Sequence, residues 1–155
     1  MTPHATMYHG GKSGIRPVGK WIRSILPDDR SVTYVEPYAG MLGVLLNRPR
    51  SSCEIANDLN GRIVNWWRMI RDHPDEFARR IALTPYSEEM FLEASASLDD
   101  GSPMARAINL SLVLTSSMGH GDGGLSSGFA VTYLPNSDPN TPNTCLLYTS
   151  PSPRD

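Results

Sequence analysis

Hydrophobic residues recur at helical spacing near the amino end of the chain and then give way to two short runs of strand-forming residues. A helix is predicted to begin at Pro17 and to end at Pro27, with an apolar face formed by Val18, Trp21, Ile22 and Ile25. Residues 31–36 and 52–57 are rich in β-branched or apolar residues and predict two strands, the first of them buried. Between them, residues 38–43 predict a tight turn into a short helix at 44–47.

The second half of the chain is dominated by helical spacing. A helix is predicted over residues 60–72, with Trp67 in the core and Trp66 half-exposed. Its apolar face is formed by Ile63, Val64, Trp67 and Ile70. Further helices are predicted through Phe77 and Ile81, near 87–97, and over 103–117 with Ala107, Leu110, Val113 and Leu114 facing inward. After a glycine-rich loop at 118–124, residues 129–133 predict a short extended segment, and residues 135–155 show no periodicity.

These elements predict the opening of a right-handed βαβ unit with a parallel sheet. Their order along the chain is strand, glycine turn, helix, strand, acidic residue and helix. Gly40 follows the first strand and Asp58 follows the second, so both are expected at the carboxyl edge of the sheet, where α/β proteins bind ligands. An acid at this distance from the glycine turn suits two hydrogen bonds to a ribose diol. A G-x-G-x-x-G segment for pyrophosphate is absent at Gly40, which favours a nucleoside without phosphate, such as S-adenosylmethionine. The alternative is an ordinary turn.

Composition narrows the class of protein. The chain is 39% hydrophobic and 19% charged, which suits a single domain with a modest core. The sequence has no apolar stretch long enough to span a membrane and no apolar core of a signal peptide. Its two cysteines are too few for a disulfide framework or a metal site. A cytoplasmic setting is therefore expected. Residues 1–80 carry 12 basic and 8 acidic side chains, and 12 of the 14 basic residues in the chain are arginine. Arginines can hold phosphates through bidentate contacts, but charge alone favours the alternative of an ordinary solvated surface.

Three segments together resemble the Dam-type DNA adenine methyltransferases. Tyr8-His9-Gly10-Gly11-Lys12 is similar to the family's aromatic-x-Gly-Gly-Lys segment. Val35-Glu36-Pro37-Tyr38-Ala39-Gly40 resembles its Glu-Pro-Phe-x-Gly cofactor loop, and Asn57-Asp58-Leu59-Asn60 resembles its (Ala/Asn)-Asp-x-Asn segment. Their order and spacing agree over residues 7–83. The resemblance implies an α/β fold that is a partial, truncated Rossmann-like S-adenosylmethionine-dependent methyltransferase fold with a mostly helical C-terminal part.

The resemblance also implies a set of cofactor-binding residues: Tyr8, Gly11, Lys12, Glu36, Tyr38, Gly40 and Asp58. The first three would border the cofactor and a flipped base, the next three would hold the methionine moiety and pack the adenosine, and the last would bind the ribose hydroxyls. Alternatives are a solvated lysine at position 12 and simple core packing at position 38. Many family members have a second glycine at the position of Leu42, whereas here glycine comes one place later, at Gly43, which allows a shifted turn.

The family's catalytic (Asp/Asn/Ser)-Pro-Pro-aromatic loop has no counterpart, because the sequence contains no Pro-Pro pair. No catalytic residue is therefore assigned, and the chain is expected to be an inactive fragment. Residues 1–83 are predicted to form the N-terminal part of the cofactor-binding domain, 84–134 a helical, DNA-facing region, and 135–144 a loop. Residues 145–155 match one reading frame of a transposase-type sequencing adapter, so native sequence is expected to stop at Thr144.

The predicted function is site-specific methylation of the exocyclic amino group of adenine in double-stranded DNA, with S-adenosylmethionine as cofactor, no metal and a monomeric protein. One alternative is a non-catalytic DNA-binding module with a vestigial cofactor pocket. Another is a Rossmann-like methyltransferase that acts on RNA or a small molecule. A nucleotide-binding oxidoreductase is disfavoured by the missing pyrophosphate glycines. His120 and Asp122 are interpreted as parts of a loop and not as metal ligands.

Overall fold

A short amino-terminal helix and a two-stranded sheet precede a cluster of four helices. The computed structural model describes residues 17–27, 29–116 and Phe129. The elements in chain order are α1 (Pro17–Ile25), β1 (Thr33–Glu36), a 3₁₀ helix (Leu45–Asn47), β2 (Cys53–Ala56), α2 (Gly61–Asp72), α3 (Pro74–Leu83), α4 (Glu88–Ala96) and α5 (Pro103–Ser116). The predicted order of strands and helices is confirmed over these residues. None of the described helices has the length and apolar character needed to cross a bilayer.

The two strands pair in parallel, as predicted. Val35 lies opposite Ile55 and Glu36 opposite Ala56. Backbone hydrogen bonds continue past the strand ends: the Asn57 amide donates to the Glu36 carbonyl at 3.0 Å, and the Ala39 amide donates to the Asn57 carbonyl at 2.9 Å. The loops that follow β1 and β2 are therefore tied together at the carboxyl edge. The connection between the strands contains the single 3₁₀ turn in place of the predicted helix at 44–47, so a Rossmann-like crossover is not seen in the described residues.

The prediction that the first strand is buried is wrong for the described structure. Val35 and its partner Ile55 share one face of the sheet, and their exposed fractions are 51% and 48%. Along β1, Glu36 is the residue that is buried. The sequence shows that the strand is apolar, but burial also needs an element packed over that face, and none of the described helices covers it. The apolar face of α1 is similarly exposed at Val18, Trp21 and Ile25.

The hydrophobic core lies between α2, α4 and α5. The four inward positions predicted for α5 are confirmed as buried. They pack with Ile63 and Trp66 of α2 and with Phe91 and Ala94 of α4. Met41, from the turn after β1, joins the same cluster. The helical cluster therefore anchors the loop that leaves the first strand.

The predicted roles of the two adjacent tryptophans are reversed in the structure. Trp66 is 5% exposed and its indole Nε1 donates to the Ser111 hydroxyl of α5 at 2.6 Å. Trp67 is half-buried and faces the turn after β1. Trp66 and Trp67 follow Ile63 by three and four residues, so both flank the apolar face of α2 that contains Ile63. The sequence pattern does not tell which edge of this apolar face α5 covers. The observed packing places α5 over Ile63 and Trp66.

The helix starts follow simple local chemistry. The Asn60 side chain accepts a hydrogen bond from the Arg62 amide at the start of α2, and the Ser87 hydroxyl accepts from the Met90 amide at the start of α4. Pro74 stands at the first position of α3, where a missing N–H is harmless. These caps explain why the predicted boundaries of α2 and α4 agree closely with the observed ones.

Candidate functional site

The turn after β1 and the residue after β2 meet at the carboxyl edge of the sheet. The Gly40 amide donates to Oδ2 of Asp58 at 2.7 Å, and the other oxygen, Oδ1, accepts from the Asn60 amide at 2.9 Å. Gly40 has a φ of 50°, in the left-handed region that glycine adopts without strain. One carboxylate thus joins the turn that leaves the first strand to the turn that starts α2.

A contact that sequence reasoning missed holds the other side of the same glycine. The indole Nε1 of Trp67 donates to the Gly40 carbonyl at 2.9 Å. The available signal was that a tryptophan close to a core needs an acceptor for its N–H. The sequence does not show that this acceptor lies 27 residues away. Gly40 is therefore fixed at its amide by Asp58 and at its carbonyl by Trp67.

Buried side chains fasten the rest of the turn. Ala39, Met41 and Val44 are 7%, 5% and 1% exposed. Leu42, between them, has a φ of 53°, and it is the non-glycine residue with positive φ among those described. The shifted turn allowed by the sequence is therefore not observed, because Leu42 keeps the left-handed backbone that a glycine would adopt there. Gly43 is buried without a positive φ.

Glu36, the last residue of β1, is buried and bonds within the protein. Its Oε2 accepts from the Leu45 amide at 3.1 Å and from the Tyr34 hydroxyl at 3.4 Å. The Arg48 guanidinium lies 4.1 Å above the centre of the Tyr34 ring. Burial, followed by the negative charge of Glu36, raises the pKa of Tyr34 to about 12, so this phenol stays protonated at neutral pH. Glu36 therefore braces the far end of the turn, at the start of the 3₁₀ helix.

Two large side chains project into solvent from the loops at the carboxyl edge. Tyr38 is 75% exposed and Leu59, directly after Asp58, is 94% exposed. The alternative explanation of Tyr38 as core packing is therefore wrong. Exposed apolar side chains next to a fixed polar turn can pack against a planar ligand.

Four of the seven predicted cofactor residues lie within the described part of the chain. Of these, Gly40 and Asp58 are in direct contact. Glu36 contacts the same turn at Leu45, and Tyr38 lies between Glu36 and Gly40 on the exposed side. Tyr8, Gly11 and Lys12 lie outside the described residues, as do His120, Asp122 and the C-terminal segments. Across the described part of the chain, no group of three or more His, Cys, Asp or Glu is arranged to hold a metal ion, and Cys53 is a free, exposed thiol.

The family model for D12 class N6 adenine-specific DNA methyltransferases matches residues 8–115, which include all three segments of the sequence resemblance. The chain belongs to this family. Its members are transferases that methylate the N6 amino group of adenine in DNA, so the predicted family and enzyme class are confirmed. Comparison with curated protein sequences gives no significant match. The turn built around Gly40 and Asp58 therefore lies in a DNA methyltransferase chain.

Proposed function

We propose that this chain supplies the S-adenosylmethionine pocket of an enzyme that methylates the exocyclic amino group of adenine in double-stranded DNA. The observation that carries the proposal is the contact between Asp58 and the Gly40 amide at the carboxyl edge of the sheet. It joins two segments 18 residues apart at the place where α/β proteins bind nucleosides. Family membership supplies the reaction class and the DNA substrate.

The acceptor capacity of Asp58 supports binding of a ribose. A carboxylate offers about four lone-pair sites, and the Gly40 and Asn60 amides occupy one on each oxygen. Each oxygen therefore keeps a site for one hydroxyl of a vicinal diol. The two backbone contacts also hold the carboxylate in a fixed orientation, which lowers the entropy cost of binding. S-adenosylmethionine, when bound, supplies a methyl group on a positively charged sulfur.

The other residues of the pocket follow from their positions. Exposed Tyr38 would pack against the adenosine, and Gly40 would allow close approach of its backbone to the ligand. Glu36 would act on the methionine side, through the turn that it braces. Tyr8, Gly11 and Lys12 are proposed to border the cofactor and the flipped adenine, as the family resemblance implies.

We further propose that these 155 residues do not transfer methyl groups by themselves. The adenine amine is a weak nucleophile because its lone pair is delocalised into the ring. The family activates it with an (Asp/Asn/Ser)-Pro-Pro-aromatic loop whose oxygen acceptors hold the amine. The sequence contains no Pro-Pro pair. The expected result with tritiated S-adenosylmethionine and unmethylated duplex DNA is no incorporation above background, and measurable turnover would contradict this part of the proposal.

The test of the pocket is a calorimetric titration with S-adenosylhomocysteine and with its 2′,3′-dideoxy analogue. If Asp58 binds the ribose, the wild-type protein loses about 10- to 100-fold in affinity when both hydroxyls are removed. In Asp58→Ala the two ligands should bind with nearly equal affinity. Comparing ligands within one variant cancels any general loosening of the turn.

The matched control is Asp72→Ala. This carboxylate also belongs to the α2 region, but it is paired with Arg71 at the end of the helix, where the described structure shows no contact with the Gly40 turn. It should leave both affinities unchanged. Failure of the wild-type protein to bind either ligand would overturn the cofactor proposal. An unchanged affinity ratio in Asp58→Ala would overturn the proposed role of Asp58 in binding the ribose.

A further inference from the structure

The hydrogen bond from Trp67 fixes one particular peptide unit of the turn. Its Nε1 is 2.9 Å from the Gly40 carbonyl oxygen, which belongs to the peptide that joins Gly40 to Met41. This peptide is trans, because the described residues contain no cis bond. A trans peptide is planar and directs its C=O and N–H to opposite sides. The Met41 N–H therefore points away from Trp67, and no acceptor for it is seen within the described residues.

The donor of this hydrogen bond is itself rigidly held. The Trp67 ring is half-buried and packs edge-to-face on Trp66, with ring centroids 4.8 Å apart and planes inclined by 84°. Trp66 is locked in turn by its hydrogen bond to Ser111 of α5. The Met41 side chain enters the same core cluster. The orientation of the Gly40–Met41 peptide is therefore set by the helical cluster and not by the turn alone.

The charge on Asp58 limits what this peptide can bind. The carboxylate of Asp58 lies 2.7 Å from the Gly40 nitrogen, so any anionic ligand group near the turn experiences repulsion from it. A fixed backbone N–H that has no acceptor in the described residues can offset such repulsion without adding a charged side chain. A carboxylate next to this turn is best accepted at the Met41 N–H.

We propose that Trp67 is a positioning residue that aims the Met41 N–H at the carboxylate of the bound amino-acid moiety. The inference rests on the proposed function, because it assumes that a nucleoside-linked amino acid occupies the pocket. It separates two parts of the ligand: Asp58 acts on the ribose, whereas Trp67 acts on the amino-acid end. Loss of the Trp67 hydrogen bond should therefore weaken only ligands that carry the carboxylate.

The experiment compares S-adenosylhomocysteine with 5′-deoxy-5′-methylthioadenosine, which keeps the nucleoside and the sulfur but lacks the amino-acid carboxylate. Calorimetric titrations use the whole chain in wild-type form and as Trp67→Phe, which keeps an aromatic ring but removes the N–H. Trp67→Phe is expected to weaken S-adenosylhomocysteine about 5- to 10-fold and to leave methylthioadenosine within about twofold.

Trp21→Phe is the matched control. It also removes an indole N–H, but from a tryptophan of α1 that is 62% exposed and has no hydrogen bond to the Gly40 turn in the described structure. It should leave both affinities, and therefore their ratio, unchanged. In an ¹⁵N spectrum of the wild-type protein, the Met41 amide should shift with S-adenosylhomocysteine but not with methylthioadenosine.

The outcomes separate the inference from the function on which it rests. If the wild-type protein binds both ligands and Trp67→Phe weakens them equally, Trp67 has a merely structural role and the inference is wrong. If Trp67→Phe leaves both affinities unchanged, the inference is also wrong while the cofactor proposal stands. If the wild-type protein binds neither ligand, the cofactor proposal fails and the inference fails with it.

Discussion

Replacing Asp58 by alanine should destabilise the protein as well as weaken ligand binding. The side chain accepts hydrogen bonds from two backbone amides, at Gly40 and at Asn60. Alanine leaves both amides without these acceptors and removes the side-chain bridge between the turn after β1 and the start of α2. The two segments would then remain joined through the Trp67 hydrogen bond and the buried side chain of Met41.

The size of the effect follows from the number and type of bonds lost. A hydrogen bond to a charged group contributes about 1.5–3 kcal/mol to stability. Asp58 is half-buried, so the lower end applies, and two bonds give about 3 kcal/mol for Asp58→Ala. Asparagine keeps one acceptor oxygen but turns an NH₂ group toward the second amide, so Asp58→Asn should cost about half as much. Either loss is within the usual 5–15 kcal/mol of a folded domain.

The free energy of unfolding is measured by urea denaturation of the wild type, of both Asp58 variants and of the control Asp72→Ala. Amide hydrogen exchange at Gly40 and Asn60 reports the two bonds separately, and both amides should lose protection in Asp58→Ala. An Asp58→Ala protein that loses less than about 0.5 kcal/mol, or that keeps normal protection at Gly40, would refute the bonding described for the turn. A loss in Asp72→Ala as large as that in Asp58→Ala would also contradict it.

Two further predictions concern the turn and the strand that leads to it. At position 42, where φ is 53°, Leu42→Gly should be more stable than Leu42→Ala by about 1 kcal/mol, because glycine relieves the left-handed strain that alanine keeps. Urea denaturation of the two variants checks this, and an alanine variant of equal or greater stability would contradict it. For Tyr34, the pKa is raised from 10.0 to about 12, so its contribution to stability is complete below pH 10 and is lost as the pH rises through 12. Tyr34→Phe should reduce the fall in stability between these pH values, as followed by unfolding at each pH, and an identical fall in both proteins would refute the assignment.

The sequence alone was sufficient for most local structure and for the family. The apolar spacing of α2 and α5 predicted helices close to those observed, and Asn60, Pro74 and Ser87 set the starts of α2, α3 and α4. These features are local, because hydrogen bonds and side-chain spacing within one helix determine them. The three segments that resemble the methyltransferase family, in matching order and spacing, likewise predicted the family that the family match confirms.

The tertiary structure decided which faces are covered and how the site is held. The sequence marked β1 as apolar but not that Val35 would be exposed, because burial depends on what packs across the sheet. It placed Gly40 and Asp58 at one edge, but it did not reveal Trp67 as the second partner of that glycine. Nor did it show that Leu42 would keep a glycine-like backbone. Each of these outcomes depends on contacts between residues far apart in the chain, and such contacts form only when α2 and α5 pack and carry Trp67 to the turn.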